Sequence, residues 1–273
     1  MNKITTTRRN TMKTPQGNNH SQSSWYVLRK KSMKPIFESG NHLREMKKVY
    51  SSDTGKYLIE IYPIVFRQDK RLFAFTHAKV IGPNSEIITE VFRNDEKFPF
   101  LFVENNIDGN DYLLCAEDTQ AHTVVCLTTG ERQDFVSERT KRGMEFSWRK
   151  FHLSPNGKSI AIEGTSKHKH DEIAEYREIR FFDFSSPYDL PYTEIGERIV
   201  RPYEEVIRWE QQGIVLSTYE EVRKSDNKPY LELNRKEVLA ALKNDDLQTR
   251  RVIYRYPVGE GKAEEMFSEW VVK

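Results

Sequence analysis

The sequence predicts an all-β fold, and three observations carry that reading. Short apolar runs of period two recur from Trp25 to the end, among them KYLIEIYPIVF, LFAFTHAKVI, DYLLCAE, HTVVCLTT, SIAIEG and GIVLSTYEEV. Val, Ile, Tyr, Phe and Thr fill these runs, and such residues suit a pleated, half-buried surface. Second, glycines at turn positions recur at Gly55, Gly109, Gly157 and Gly213, at spacings of 54, 48 and 56 residues. Third, the runs fall into four groups of four. A period near fifty with several strands per unit indicates a propeller-like array of four to five four-stranded blades. Residues 35–273 are read as that domain.

Residues 1–34 precede the pattern. They hold eight basic residues (Lys3, Arg8, Arg9, Lys13, Arg29, Lys30, Lys31, Lys34) and no acid. That leaves 35 Lys and Arg against 41 Asp and Glu, so residues 35–273 carry a net charge of about −6. Residues 1–24 are too polar to offset the entropy of ordering, and 1–34 are expected to form a disordered basic N-terminal arm. An acidic body is ill suited to a polyanion, which confines any nucleic-acid role to residues 1–34. No apolar run approaches the roughly 18–20 residues of a membrane span, and the first 24 residues lack the apolar centre of a secretory signal. A cytoplasmic, soluble protein is the expectation.

The first unit is predicted at 46–51, 56–63, 71–81 and 86–92, and the second at 98–104, 111–117, 122–128 and 132–136. A hairpin turn centred between Gln120 and Ala121 would set Cys115 opposite Cys126. In a reducing compartment they are expected as free buried thiols. The third unit is predicted at 146–153, 159–164, 177–184 and 193–199. Its first turn, FHLSPNGKSIAIEG, contains Gly157-Lys158-Ser159, the ending of a phosphate-binding loop. That loop needs a glycine at 152, where the chain has His152. Pro155 removes a backbone donor, and IAIEG alternates like a strand where a helix is required. Ser154-Pro155-Asn156-Gly157 instead fits a β-turn, with Gly157 supplying positive φ.

The fourth unit is predicted at 204–210, 213–219, 228–234 and 250–256. LNRKEVLAALKND is the one helical stretch, with Asn234 as its cap and Leu239 and Leu242 near one face. The terminal runs WYVL (25–28) and EWVV (269–272) are read as strands that close the ring or begin a fifth blade.

LSPNGKSIAIEG followed by REIRFFDF, and DYLLCAED followed by HTVVCLTTGE, together resemble the blade grammar of β-propeller repeats of the WD-repeat and related type. The resemblance covers roughly residues 100–235, and the Trp-Asp and Gly-His pairs of WD repeats are absent. It implies a propeller fold.

Two stretches contain candidate binding residues. In ERTKRGMEFSWRK (138–150), Arg142 and Arg149 accompany Trp148, and aromatics among bases can stack nucleotides. A basic connecting loop leading into a strand with buried aromatics is the preferred reading. In TSKHKHDEIAEYRE, His168 and His170 lie beside Asp171 and Glu172. Such a pair can bind a divalent metal weakly, but a solvated loop is preferred because no second ligand pair accompanies it. No metal or cofactor is expected. The nucleophile-elbow, zinc-helix and Cys-x-x-Cys patterns are missing. The function expected is therefore a non-catalytic protein-binding or scaffold module that presents blade loops to a protein partner. The alternatives are an enzyme or small-ligand binder with a site in the central channel, and a nucleic-acid-associated protein that uses the basic arm.

Overall fold

The computed structural model describes residues 24–68, 70–106, 108–118, 121–136, 145–167, 175–200, 205–258 and 262–271. The described residues are mostly β and form four antiparallel sheets in chain order. A helix, α1 (Ser24–Ser39), precedes the first sheet, which contains β1 (Asn41–His42), β2 (Lys48–Ser51), β3 (Leu58–Gln68), β4 (Arg71–Ile81) and β5 (Ile87–Arg93). The second sheet is β6 (Phe100–Val103), β7 (Tyr112–Cys115), β8 (Ala121–Cys126) and β9 (Arg132–Val136). The third is β10 (Glu145–Leu153), β11 (Ser159–Lys167) and β12 (Glu175–Asp183). The fourth is β13 (Glu205–Glu210), β14 (Gly213–Arg223), β15 (Leu247–Tyr256) and β16 (Glu264–Trp270), with α2 (Arg235–Lys243) between β14 and β15.

Successive side chains of a strand take opposite faces, so the continuous buried runs Tyr112–Cys115 and Thr123–Cys126 make an inner sheet apolar on both faces, and each face needs a neighbour. Leu113, Cys115 and Val125 of the second sheet pack with Ile59, Ile61, Ala78 and Val80 of the first. Their sequence neighbours Tyr112, Leu114, Val124 and Cys126 pack with Phe151, Ile160, Ile162 and Phe182 of the third. Ala161, Ile179 and Phe181 then turn the other face of the third sheet to Val206, Ile214 and Leu216 of the fourth. The leading strands β6, β10 and β13 also touch in sequence.

Buried polar groups tie the layers. Arg93 is 1% exposed and donates to the carbonyls of Lys97 (2.7 Å), Ala116 (3.0 Å) and Asp118 (2.7 Å). Asp111 accepts from Lys56 Nζ (2.6 Å), the Tyr57 hydroxyl (2.8 Å) and the Asn105 amide (2.8 Å), joining the first sheet to the second. Burial alone would raise the Asp111 carboxyl, but those three donors hold it below its ordinary range.

The repeated turns share one geometry. Gly55, Gly109 and Gly157 have φ of 77°, 78° and 69°. Each donates its amide to the residue three before it, Ser52, Asn106 and Ser154. Ser154 Oγ also accepts the Ser159 amide at 2.9 Å, as Ser52 Oγ accepts the Tyr57 amide at 3.1 Å. Gly157-Lys158-Ser159 therefore belongs to a hairpin turn, as the sequence predicts.

Four expectations need correction. WYVL lies in α1, so residues 24–34 are not a disordered arm; residues 1–23 lie outside the described residues. A helix of 16 residues interrupted by Pro35 is marginal by itself, and docking supplies what propensity lacks. The Tyr26 hydroxyl donates to Glu117 (2.8 Å), Arg29 pairs with Asp118 (2.9 Å), and Lys30 pairs with Glu117 (2.6 Å) and Asp134 (2.9 Å). At the other end, Phe37 packs against Phe75 and Phe92. Second, residues 228–234 form a 3₁₀ turn (Tyr230–Glu232) and the cap of α2 instead of a strand, because the Asn234–Glu237 capping box starts the helix there. The third strand of that sheet is β15, and Glu269 and Trp270 of the expected terminal run end β16, its fourth strand. Third, 193–199 adds only the isolated bridges Phe182↔Glu194 and Ile179↔Ile199 to the third sheet. The expected helix is present as α2 with Asn234 as its cap; Ala241 is its buried residue, and Leu239 and Leu242 are 60% and 58% exposed. Fourth, β7 and β8 pair Tyr112 with Cys126 and Cys115 with Thr123. This odd offset from the expected register puts the two thiols on opposite faces, where they cannot meet.

Gly213 differs from the other turn glycines. A Cβ there would meet the Tyr256 carbonyl oxygen head-on, whereas nothing lies within 4 Å of a Cβ on Gly109. Gly109→Ala is expected to cost about 1 kcal/mol for its positive φ. Gly213→Ala is expected to cost at least about 2 kcal/mol more, because backbone must move. Urea melts of the two variants measure the difference.

Candidate binding groove

The third and fourth sheets meet in an apolar contact. Ile199, Val206, Ile214 and Leu216 close its centre. Beyond them β14 continues as Thr218-Tyr219-Glu220-Glu221, past Ser217, its last residue paired with a described residue of β13. There a groove of about 620 Å³ opens. Its walls include Val200, Tyr219, Glu220, Tyr230, Tyr254 and Tyr256. Glu221 and Glu232 add acid at its sides.

Local sequence makes the wall rigid. Val222 bridges Pro229, and the Arg223 amide donates to the Lys228 carbonyl at 2.9 Å. Arg223 grips Asp226, the Ser225 hydroxyl donates to Asp246 (2.8 Å), and Lys224 Nζ donates to the Asp245 carbonyl (2.6 Å). The Glu232 amide closes the turn onto the Pro229 carbonyl at 2.9 Å. The turn that presents Tyr230 and Leu231 is thereby fixed between a strand and a capped helix.

Inside the groove, Glu220 accepts from the Tyr254 hydroxyl (2.7 Å) and from Arg250 (3.1 Å). Burial, then the hydrogen bond to Glu220, pushes the Tyr254 phenol up, so it stays protonated. Glu221 and Glu232 make no ion pair with a described residue. Leu231 is 82% exposed, and Val200 and Tyr219 are each 50% exposed. Exposed apolar groups, tyrosine rings and unpaired carboxylates thus line one concave surface. Such a surface can hold an extended segment with a basic side chain against its rings and acids.

The residues singled out in the sequence fall elsewhere. Trp148 is 1% exposed, wedged among Phe151, Phe182 and His122 between the second and third sheets. It cannot stack on a nucleotide. Phe146 lies under the Arg180 guanidinium, 4.3 Å from its ring centre. Arg149 is exposed at a register shift in β10, so the basic residue and the aromatics point apart. Arg142, His168 and His170 lie outside the described residues, and among the described residues no cluster of His, Cys, Asp and Glu could hold a metal. Of the basic arm, Arg29 and Lys30 are engaged by carboxylates of the second sheet. No described helix is long and apolar enough to cross a membrane. Sequence reasoning missed the groove because its residues span 200–256. The signal was the recurrence of tyrosine beside glutamate or arginine, in TYEE, PYLE and IYRYP.

No protein-family model matches the chain. A comparison with curated proteins returned no match either.

Trp148→Ala should cost about 3–5 kcal/mol in a denaturant melt, and Arg149→Ala less than about 0.5 kcal/mol. Burial, then Arg180, holds the His122 imidazole well below its ordinary range. Above about pH 6.5 this costs nothing. Below it the unfolded chain takes up a proton that the folded chain does not, so stability falls by up to about 1.4 kcal/mol per pH unit. Melts at pH 7.5 and 5.5 should show that fall in the native chain and a smaller one in His122→Gln.

Proposed function

We propose that this chain is a non-catalytic protein-binding module of propeller type. In this reading the four sheets act as blades, and the groove on the fourth sheet, beside Val200, takes an extended, basic segment of a partner protein. The observation that carries it is the joining of four tyrosines, Glu221 and Glu232, which pair with no described residue, and exposed Leu231 in one rigid concave surface. Rings with nearby carboxylates attract Lys and Arg side chains, and a wall already ordered loses little entropy on binding. The stacking of the sheets in chain order and the shared turn geometry support the blade assignment.

The test uses two fluorescent peptides of about twelve residues, one rich in Lys, Arg and Leu and one in which Glu replaces every basic residue. The full chain should bind the basic peptide and not the acidic one. Charge reversal at Glu221 and Glu232 together should weaken binding about tenfold or more, as should Leu231→Asp. Both changes are at exposed positions and should leave the melting temperature unchanged. Equal anisotropy titrations for the native chain and both variants would refute the assignment.

A further inference from the structure

A second concave site lies where the turn between β10 and β11 meets the turn between β13 and β14. It is a pocket of about 560 Å³ and shares no lining residue with the groove. That volume falls within the roughly 300–1,000 Å³ typical of organic-ligand pockets. Ile195, Trp209 and Val258 supply its apolar lining, and all three pack half-buried at the margin of the core between the third and fourth sheets. Phe181 meets Trp209 edge-on, with ring centres 5.7 Å apart, and so steadies the indole.

Asn156, Ser159 and Gln211 supply polar groups. Asn156 Oδ1 is engaged within its own turn, where it accepts the Ser154 hydroxyl (2.8 Å) and the Lys158 amide (3.0 Å). Its Nδ2, the Ser159 hydroxyl and the Gln211 side-chain amide make no hydrogen bond with a described residue. Asn156 and Gln211 are exposed and Ser159 is half-buried, so a ligand can reach all three.

The charges are already matched. Among the lining residues Glu210 alone is ionisable, and it is held by Arg208 (2.7 Å) and Arg255 (3.0 Å). The turn has no amide left for an anion. Gly157 donates to the Ser154 carbonyl (2.9 Å), Lys158 to Asn156 Oδ1 and Ser159 to Ser154 Oγ (2.9 Å). A charged ligand finds no free counter-charge in the lining, whereas a neutral one needs none. Hydroxyl and amide groups between them both donate and accept, which matches a ligand whose own hydroxyls do both. A sugar ring carries such hydroxyls at its rim and C–H groups on its faces, and the C–H groups suit an indole beside Ile195 and Val258.

We propose that this pocket binds a neutral saccharide, with a C–H face of one ring against Trp209 and hydroxyls bonded to Asn156, Ser159 and Gln211.

Cellotriose and maltotriose are the neutral probes, trigalacturonic acid is the charged one, and adenosine is a neutral ligand with a flat base. Each is titrated against the full chain and read by saturation-transfer NMR. At least one neutral trisaccharide should bind with a Kd of about 1 mM or tighter. Gln211→Ala lies at an exposed turn position, and Asn156→Asp keeps the acceptor that the turn uses while removing the donor. Each should weaken binding about fivefold. Trp209→Ala should abolish it; if that change unfolds the chain, the two turn variants carry the test. Reversing the charge of Glu221 and Glu232 should leave saccharide binding unchanged, which separates this site from the groove. Silence from both neutral trisaccharides, equal binding of trigalacturonic acid, binding of adenosine alone, unchanged affinity in both turn variants, or loss on reversing Glu221 and Glu232 would each overturn the proposal.

Discussion

The structure depends on the demand that a sheet with two apolar faces be covered twice. Leu113 and Leu114 are neighbours in sequence, yet one belongs to the core between the first and second sheets and the other to the core between the second and third. Ala161 and Ile162 divide in the same way between the two faces of the third sheet. A pleated strand leaves no other arrangement, since successive side chains leave the backbone in opposite directions. One inner sheet thus organises two interfaces at once. A slip of one residue in its register would turn both cores out together.

Apolar stacking alone leaves the sheets free to slide, and buried polar contacts fix their positions. Arg93 reaches from the end of β5 to three backbone carbonyls, two of them in the turn after β7. Truncating it would strand those carbonyls in a dry environment. Asp111 and Glu104 do similar work at the opposite end, where Glu104 receives the Thr54 amide and the Ser52 hydroxyl. These are contacts to turns that the sequence repeats, so the residues that shape the hairpins also lock one sheet to the next.

Much of the β architecture was legible because it is local. Gly55, Gly109 and Gly157 announce their hairpins by turn chemistry, and period two assigns the strands around them. The second sheet matches its expected strands closely because all four are joined by short turns. Legibility failed where a distant partner decides. WYVL has strand-like residues, but Glu117, Asp118 and Asp134, some ninety or more positions away, draw the segment into a helix. PYLELN alternates correctly, but its own last residue, Asn234, opens the capping box with Glu237 that takes the chain out of the sheet. The groove was illegible for the same reason, since its tyrosines come from β14, a 3₁₀ turn and β15. Trp148 was ambiguous because a ring next to arginines in sequence gives no information on which face it occupies.

The placement of Cys115 and Cys126 makes the second sheet self-reporting. One sulfur is sealed in the interface with the first sheet, the other in the interface with the third. Burial pushes the Cys115 thiol up to about 12, so it reacts with an alkylating agent only when its interface parts. The labelling rate of each thiol under native conditions is then a clock for the opening of one seam, and the ratio of the two rates ranks the seams by local stability. A chain built from stacked sheets can loosen one layer at a time, and this one has a separate gauge on each side of its second layer.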